Sequence, residues 1–310
     1  MTTLQLLKSD SFRVGPLDVL PLRIEGVSKT DYDVPPKIDQ LSFNELDTEG
    51  GPSVGYIEIG NPDDTPVLIP EGWIIGANLL QTRVMNRTTW INAFENVVAE
   101  VSCVERGRWR EESNNVDCGR SPLRVFSAGW EHETKTGTWR IHQSQRQSRV
   151  WEEISRHELR SGQRPTSSLA QIMREDSVTT WIPRYINETA RREPPYVHGQ
   201  NGVLISYEGS PLFMELFSKP EAMRKTLQQT LNAMSFDLDH MNYQNVELPD
   251  VESFIKSSRL GELHFISDDD WAVRMAGGTN GIDTKASVDQ LGRLIHATSI
   301  NRNHRILMEV

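Results

Sequence analysis

Before Trp130 the apolar residues come in short runs that alternate with polar ones, and proline, glycine or asparagine cuts the runs off. Residues two apart share one face of a strand, so this pattern makes short half-buried strands joined by turns. Residues 18–24 offer Val19, Leu20, Leu22 and Ile24 to a core. Residues 54–59 form another strand, and Asn61-Pro62-Asp63-Asp64 leads from it into 66–69 as a hairpin. Strand candidates at 83–90 and valine-rich 96–105 follow. One segment departs from this reading. Residues 42–49 resemble one or two helical turns, with Ser42 as N-cap, Glu45 as its capping-box partner and Gly50-Gly51 as the stop.

Near Glu111 the composition changes. Residues 111–120 read as an exposed loop, and 141–160 as an amphipathic helix with Ile141, Val150, Trp151, Ile154 and Leu159 as its apolar residues. A second helix is expected over 166–176. Two strands, 202–207 and 212–217, flank Glu208-Gly209-Ser210-Pro211. The clearest helix follows, with Ser218 as N-cap, Pro220 in the first turn and Met223, Leu227, Leu231, Met234 and Leu238 at threes and fours. A helix over 250–258 and strands near 263–266 and 271–275 close the chain. The expected fold is α+β: a largely antiparallel, sandwich-like β core, a helical insertion at 141–176 and a long helix in the C-terminal half. We read residues 1–310 as one integrated domain.

The charge of the chain narrows its partners. Asp plus Glu (43) exceed Lys plus Arg (33), and the net charge of -10 disfavours general nucleic-acid binding or an anionic membrane surface. Its apolar stretches, such as 73–75 and 97–101, fall far short of the ~20 residues that span a bilayer. Two cysteines, Cys103 and Cys118, are too few for a disulfide framework, and the N-terminus has no apolar run like that of a signal peptide. A cytoplasmic setting is expected.

The richest stretch for chemistry is 70–109. Glu71, Gln81, Arg83 and Asn86 stand among strand-forming apolar residues and could converge on a ligand site; alternatively Glu71 and Arg83 pair to fix a turn. Glu105, Arg108 and Trp109 end a strand. There an Arg beside an aromatic ring can bind an anion, or the charges can simply be solvated. Cys103 lies in an alternating valine strand and reads as core. His198, in the loop 198–202, is a titratable site candidate or an ordinary connection. No metal motif is complete: His157-Glu158 has Ser161 where a zinc-protease helix needs His, and Asp237-Asp239-His240 and 268–270 are weak cation signals. Gly277-Gly278-Thr279-Asn280-Gly281 lacks the Walker spacing and reads as a tight turn, and no Gly-x-Ser-x-Gly elbow is present.

The stretch resembles the ADP-ribosylglycohydrolase and rhodanese-phosphatase-associated protein domain family. Glu71, Gly76-Ala77, Gln81 and Arg83 carry the first part of the likeness, and Val101-Ser102-Cys103-Val104-Glu105 with Gly107-Arg108-Trp109 the specific part. It continues with Trp151, 202–207, 216–221 and the helix ending near Ser235-Phe236. The resemblance implies a link through genomic company to ADP-ribose and nucleotide metabolism, without an established reaction or a named cofactor. Three functions follow as expectations. The first is a site for a nucleotide or ADP-ribose-like small molecule, with Arg83 and Arg108 on phosphate, Trp109 stacking, and Glu71 and Gln81 fixing hydroxyls. The second is a hydrolase on the same ligand class, with Glu71 or Glu105 as general acid or base and a metal near Asp239. The third is an interaction domain that presents the helix 141–160 to a protein partner.

Overall fold

The computed structural model describes residues 3–7, 10–14, 17–35, 40–48, 51–76, 79, 81–105, 119–128, 130, 143–161, 168–169, 172–173, 196–238, 250–269 and 272–308. Its fold is α+β, built on large antiparallel sheets. Nine strands form the main sheet: β1 (Thr3–Leu6), β2 (Phe12–Val14), β3 (Leu17–Glu25), β11 (Gly202–Tyr207), β12 (Ser210–Phe217), β13 (His264–Asp269), β14 (Ala272–Gly277), β15 (Ile282–Val288) and β16 (Leu294–Asn301). Their order is β1-β3-β11-β12-β16-β15-β14-β13, with β2 also on β3. A five-stranded sheet runs β4 (Ser42–Thr48), β5 (Gly51–Gly60), β10 (Asn96–Cys103), β8 (Arg83–Met85) and β7 (Ile74–Ile75), while β6 (Val67–Ile69) pairs with β9 (Thr89–Ile91). The helices among the described residues are α1 (Leu123–Ala128), α2 (Gln143–Ser161), α3 (Pro220–Leu238) and α4 (Val251–Ser258). None is long and apolar enough to cross a membrane.

The central strands are covered on both sides, so they read as apolar runs. Val203, Ile205, Phe213, Phe217 and Ile300 pack with Met223, Leu227 and Leu231 of α3, with Leu123 and Phe126 of α1 and with Val150 and Ile154 of α2. On the opposite face Leu204, Met214, Leu216, Ala286 and Ala297 pack with Phe254 of α4. Asp250 caps α4 by accepting from the Ser253 N–H at 2.7 Å, and Arg259 ends it in the left-handed region. The five-stranded sheet has its own cluster, including Phe43, Ile57, Ile59, Trp73, Met85 and Val101. Ile74, Val84 and Val104 turn the other way and join the main cluster.

Two local expectations are corrected. Residues 42–48 are a strand, because Leu41 and Phe43 alternate with exposed Ser42 and Asn44 and β4 pairs antiparallel with β5. The segments flanking Asn61-Pro62-Asp63-Asp64 do not form a hairpin: β5 pairs with β4 and β10, and β6 with β9. Of the segment 111–120 expected as an exposed loop, only Gly119 and Arg120 lie within the described residues; Arg120 is only 2% exposed and bridges to Trp73. The glycine-rich segment 277–281 is a turn between β14 and β15, with Gly278, Asn280 and Gly281 at positive φ. Of the expected helix 166–176 only residues 168–169 and 172–173 lie within the described residues; there Leu169 and Ile172 are buried.

Candidate functional site

Glu71 sits at the corner of a β-turn. The Trp73 N–H donates to the Pro70 carbonyl at 3.3 Å, and Gly72 occupies the third position with φ +77°. That position needs a residue tolerant of positive φ, and a Cβ there would come within 2.8 Å of the Phe126 ring. The Pro-Glu-Gly-Trp sequence therefore encodes the turn that aims Glu71.

A ring of hydrogen bonds holds this corner from both sides. The Glu71 N–H donates to Thr88 Oγ1 at 3.3 Å, and Thr88 Oγ1 lies 3.0 Å from His296 Nδ1. His296 Nε2 is 3.1 Å from Glu215 Oε1. Arg120 Nη1 donates to Glu215 Oε2 at 2.6 Å, and its Nη2 donates to the Glu71 carbonyl at 3.2 Å, which closes the ring. Thr230 accepts from Arg120 Nη1 at 2.9 Å, and the guanidinium packs between the Phe126 and Phe213 rings. Arg120, Glu215 and His296 are all at most 2% exposed. Buried polar groups survive only when paired, and here each supports the next.

The strand register explains how these residues meet. Glu215 is opposite Thr298, which is opposite Lys285; in the next row Phe217, His296, Ser287 and Arg274 are aligned. Two cross-strand rows thus carry polar groups over one face of the main sheet. Above them lie the Glu71 turn and the loop holding Arg87 and Thr88. Between these layers is a pocket of about 470 Å³, counting its open mouth, lined by Glu71, Arg87, Thr88, Arg274, Lys285, Ser287 and His296 with Ile266, Met275 and Ala286. Only about 40 Å³ of this space is cavity; the rest belongs to the open mouth.

Charge divides the pocket into parts. Burial pushes the Glu71 carboxyl above its ordinary range, against the charges of Lys285, His296 and Arg120 and the Thr298 hydroxyl beside it. Burial would also raise Glu215, but the Arg120 charge, with the His296 and Arg120 hydrogen bonds, outweighs it and brings Glu215 down to about 2. Glu215 is therefore an anion, while Glu71 holds a proton more readily than an ordinary carboxyl. Arg87 is held by Glu100 at 3.0 Å, and the Lys285 ammonium lies 4.4 Å from the centre of the Trp130 ring. Three cations and an acid in one pocket suit an anionic ligand with an oxygen to receive a hydrogen bond.

The other residues singled out in the sequence lie elsewhere. Arg83 does not pair with Glu71; it is fully buried, with Nη2 3.2 Å from Glu45 Oε2 and Nη1 donating to Gln81 Oε1 at 2.9 Å. Gln81 donates to the Glu105 carbonyl. The Glu105 carboxylate accepts from the Thr82 N–H at 2.7 Å and from the Ser168 hydroxyl at 2.8 Å, which ties the end of β10 to its neighbours. Asn86 accepts from Ser102 at 2.9 Å. Gln81, Arg83 and Glu105 thus form a second buried group, and neither they nor Asn86 line the Glu71 pocket. Cys103 is fully buried and its thiol is pushed up by burial, against the Arg83 charge and the Glu105 N–H. His198 is exposed in a turn and contributes its carbonyl to Arg23 at 2.8 Å. Arg108 and Trp109 lie outside the described residues.

Helix α2 turns part of its polar face inward. Gln147 accepts from the Cys103 N–H and donates to the Cys103 carbonyl, both at 2.7 Å, while Arg146 pairs with Glu100 and Glu153 with Arg124. Asp237 accepts from the Leu123 and Arg124 N–H groups at the start of α1, and burial pushes it up to about 7 despite the nearby Arg124 charge. Asp239, His240 and Asp270 lie outside the described residues. Among the described residues no group of three or more His, Cys, Asp or Glu side chains gathers as a metal site.

Sequence reasoning missed Arg87, Thr88, Arg120, Glu215, Arg274, Lys285 and His296. The available signal was polar residues spaced two apart inside apolar strands, as in Glu215 of β12 and His296 and Thr298 of β16, all at most 1% exposed. A family model described as ARG and Rhodanese-Phosphatase-superfamily-associated Protein domain matches residues 7–299. No curated protein and no solved structure matches the chain.

Proposed function

The chain belongs to the ARG and Rhodanese-Phosphatase-superfamily-associated Protein domain family, and from that premise we propose that it binds a small phosphate-bearing compound of the nucleotide or ADP-ribose type in the Glu71 pocket. We read ARG in that description as ADP-ribosylglycohydrolase, which supports an ADP-ribose-type ligand. The observation that carries the proposal is the convergence of Arg87, Arg274 and Lys285 on one pocket with the buried acid Glu71. The cations meet the phosphate, and Glu71, held by its backbone ring, donates to a ligand oxygen. Arg83 and Gln81 have no part in this site, since their side chains are committed to Glu45 and Glu105. A hydrolase with Glu71 as proton donor is the second reading, favoured by the upward shift of that carboxyl.

The test is a thermal-shift titration with ADP-ribose, NAD and inorganic phosphate. A ligand at 100 times its dissociation constant adds about 2.7 kcal/mol of stability. Wild type is expected to show a saturable rise that Lys285→Met loses. A flat response to every phosphate compound, from a folded baseline, would remove the proposal.

A further inference from the structure

His296 stands between a hydroxyl and a carboxylate. Thr88 Oγ1 is 3.0 Å from its Nδ1, and Glu215 Oε1 is 3.1 Å from its Nε2. An ionised carboxylate only accepts, so Nε2 carries a hydrogen, and in the neutral ring the Nδ1 lone pair then faces the Thr88 hydroxyl. The Glu71 N–H donating into Thr88 Oγ1 agrees with this polarity, because it leaves the hydroxyl hydrogen for His296. Hydroxyl, imidazole and carboxylate in that order form the arrangement that activates an oxygen nucleophile: the base removes the proton, and the third group orients the ring and stabilises the imidazolium.

The surroundings fit this use. The His296 ring packs on Phe217, with centroids 4.7 Å apart, and Arg120 fixes Glu215. Thr88 is half-buried and lines the pocket. Arg87, Arg274 and Lys285 line the same space and can neutralise phosphoryl oxygens, the main task in phosphoryl transfer.

We infer that Thr88 is a nucleophile that takes the phosphoryl group from a phosphomonoester bound in this pocket, with His296 as its base and Glu215 orienting that base. The inference rests on the phosphate-binding reading of the same pocket. In the first step Thr88 Oγ1 forms a bond to phosphorus, and its proton passes to His296 Nδ1. The bond from phosphorus to the ester oxygen breaks, and Glu71 gives its proton to the departing alcohol. In the second step water attacks the phosphothreonine and its proton goes to the Glu71 carboxylate. The bond from phosphorus to Oγ1 breaks, and Thr88 recovers its proton from His296. Inorganic phosphate is released and every group returns to its starting state.

The experiment uses the full chain with para-nitrophenyl phosphate, following nitrophenolate release and the intact mass after acid quench, beside a thermal-shift titration with inorganic phosphate. The expected result is release together with a mass gain of one phosphoryl group mapped to Thr88. Thr88→Val should still bind inorganic phosphate but lose release by about 100-fold or more, and Thr88→Ser should keep both. Unchanged release by Thr88→Val, or a phosphoryl group on another residue, would overturn the assignment. So would binding of inorganic phosphate with no release, an outcome that leaves the binding proposal standing. Turnover of para-nitrophenyl acetate through Thr88, with none of the phosphate, would overturn the phosphoryl chemistry. Failure of inorganic phosphate, ADP-ribose and NAD alike to bind would overturn both proposals.

Discussion

Replacing Arg120 by methionine should expose how much of the fold depends on the ring behind Glu71. The change removes the 2.6 Å hydrogen bond to Glu215, the bond to Thr230 and the bond to the Glu71 carbonyl, while the apolar stem still fills the space between Phe126 and Phe213. Removing one partner of a buried ion pair costs about 3–5 kcal/mol, because the other charge stays desolvated. The carboxylate gives a similar figure. Held at about 2 against an ordinary 4.5, Glu215 contributes about 3 kcal/mol at neutral pH, since a tenfold change in proton affinity is worth about 1.4 kcal/mol. Since its folded value is depressed, that stability is present above pH 4.5 in wild type and is lost as pH falls toward 2. Without Arg120 the same carboxyl takes up a proton more readily, so the deficit of the variant should be largest near pH 8 and shrink toward pH 4. Urea unfolding of both proteins at several pH values measures this. Arg120→Met combined with Glu215→Leu should recover most of the loss, since a buried pair exchanged for apolar groups is often close to neutral. A deficit below about 1 kcal/mol, or one that is flat from pH 4 to 8, would rule out an uncompensated buried charge as the cause.

Other perturbations probe separate parts of the molecule. Asp237 has a folded value of about 7, above its ordinary 3.8, so its contribution is fully present below pH 3.8 and is lost as pH rises through 7. That loss is about 4 kcal/mol. Asp237→Asn, which keeps a capping oxygen, should flatten the slope in this window in urea midpoints compared with wild type. The comparison cancels His304, whose value is lowered by burial to about 4 and which acts in the opposite sense, losing stability as pH falls below 6.5. Gly72→Ala sets a side chain at φ +77° against Phe126 and should cost about 2 kcal/mol or more, read as a lower melting temperature together with weaker ligand binding through the displaced Glu71 turn. Gln147→Ala leaves the Cys103 N–H and carbonyl without their side-chain partner and should cost about 1–3 kcal/mol in urea unfolding. Binding of any phosphate ligand should weaken as salt rises, because three of the groups that line the pocket are cations; calorimetric titrations at low and high ionic strength follow this.

Parts of this arrangement were legible in the sequence because their causes are local. Pro220 opens α3, Asp250 caps α4, and the glycines of 277–281 turn between strands. Glu71 stood out through the Pro-Glu-Gly-Trp turn, whose glycine is needed for its positive φ. What was not legible depends on distant pairing. Ser42 and Glu45 imitate a capping box, yet the pairing of β4 with β5 makes the segment a strand and aims Glu45 at Arg83, 38 positions away. The sequence brings Gln81 and Arg83 close to Glu71 in number, but strand direction turns them into a separate buried group. His296 and Lys285 reach the pocket only through the register of β15 and β16, where a shift of one residue would point them to the other face.

Whether the Glu71 pocket takes a phosphate compound would be seen in a crystal structure of the chain grown with ADP-ribose. Phosphate oxygens are expected within hydrogen-bond distance of Lys285 and Arg274, with a ligand oxygen facing the Glu71 carboxyl and the Thr88–His296–Glu215 ring unchanged. An empty Glu71 pocket with ligand bound elsewhere, or a ligand that leaves all three pocket cations untouched, would contradict the proposed site.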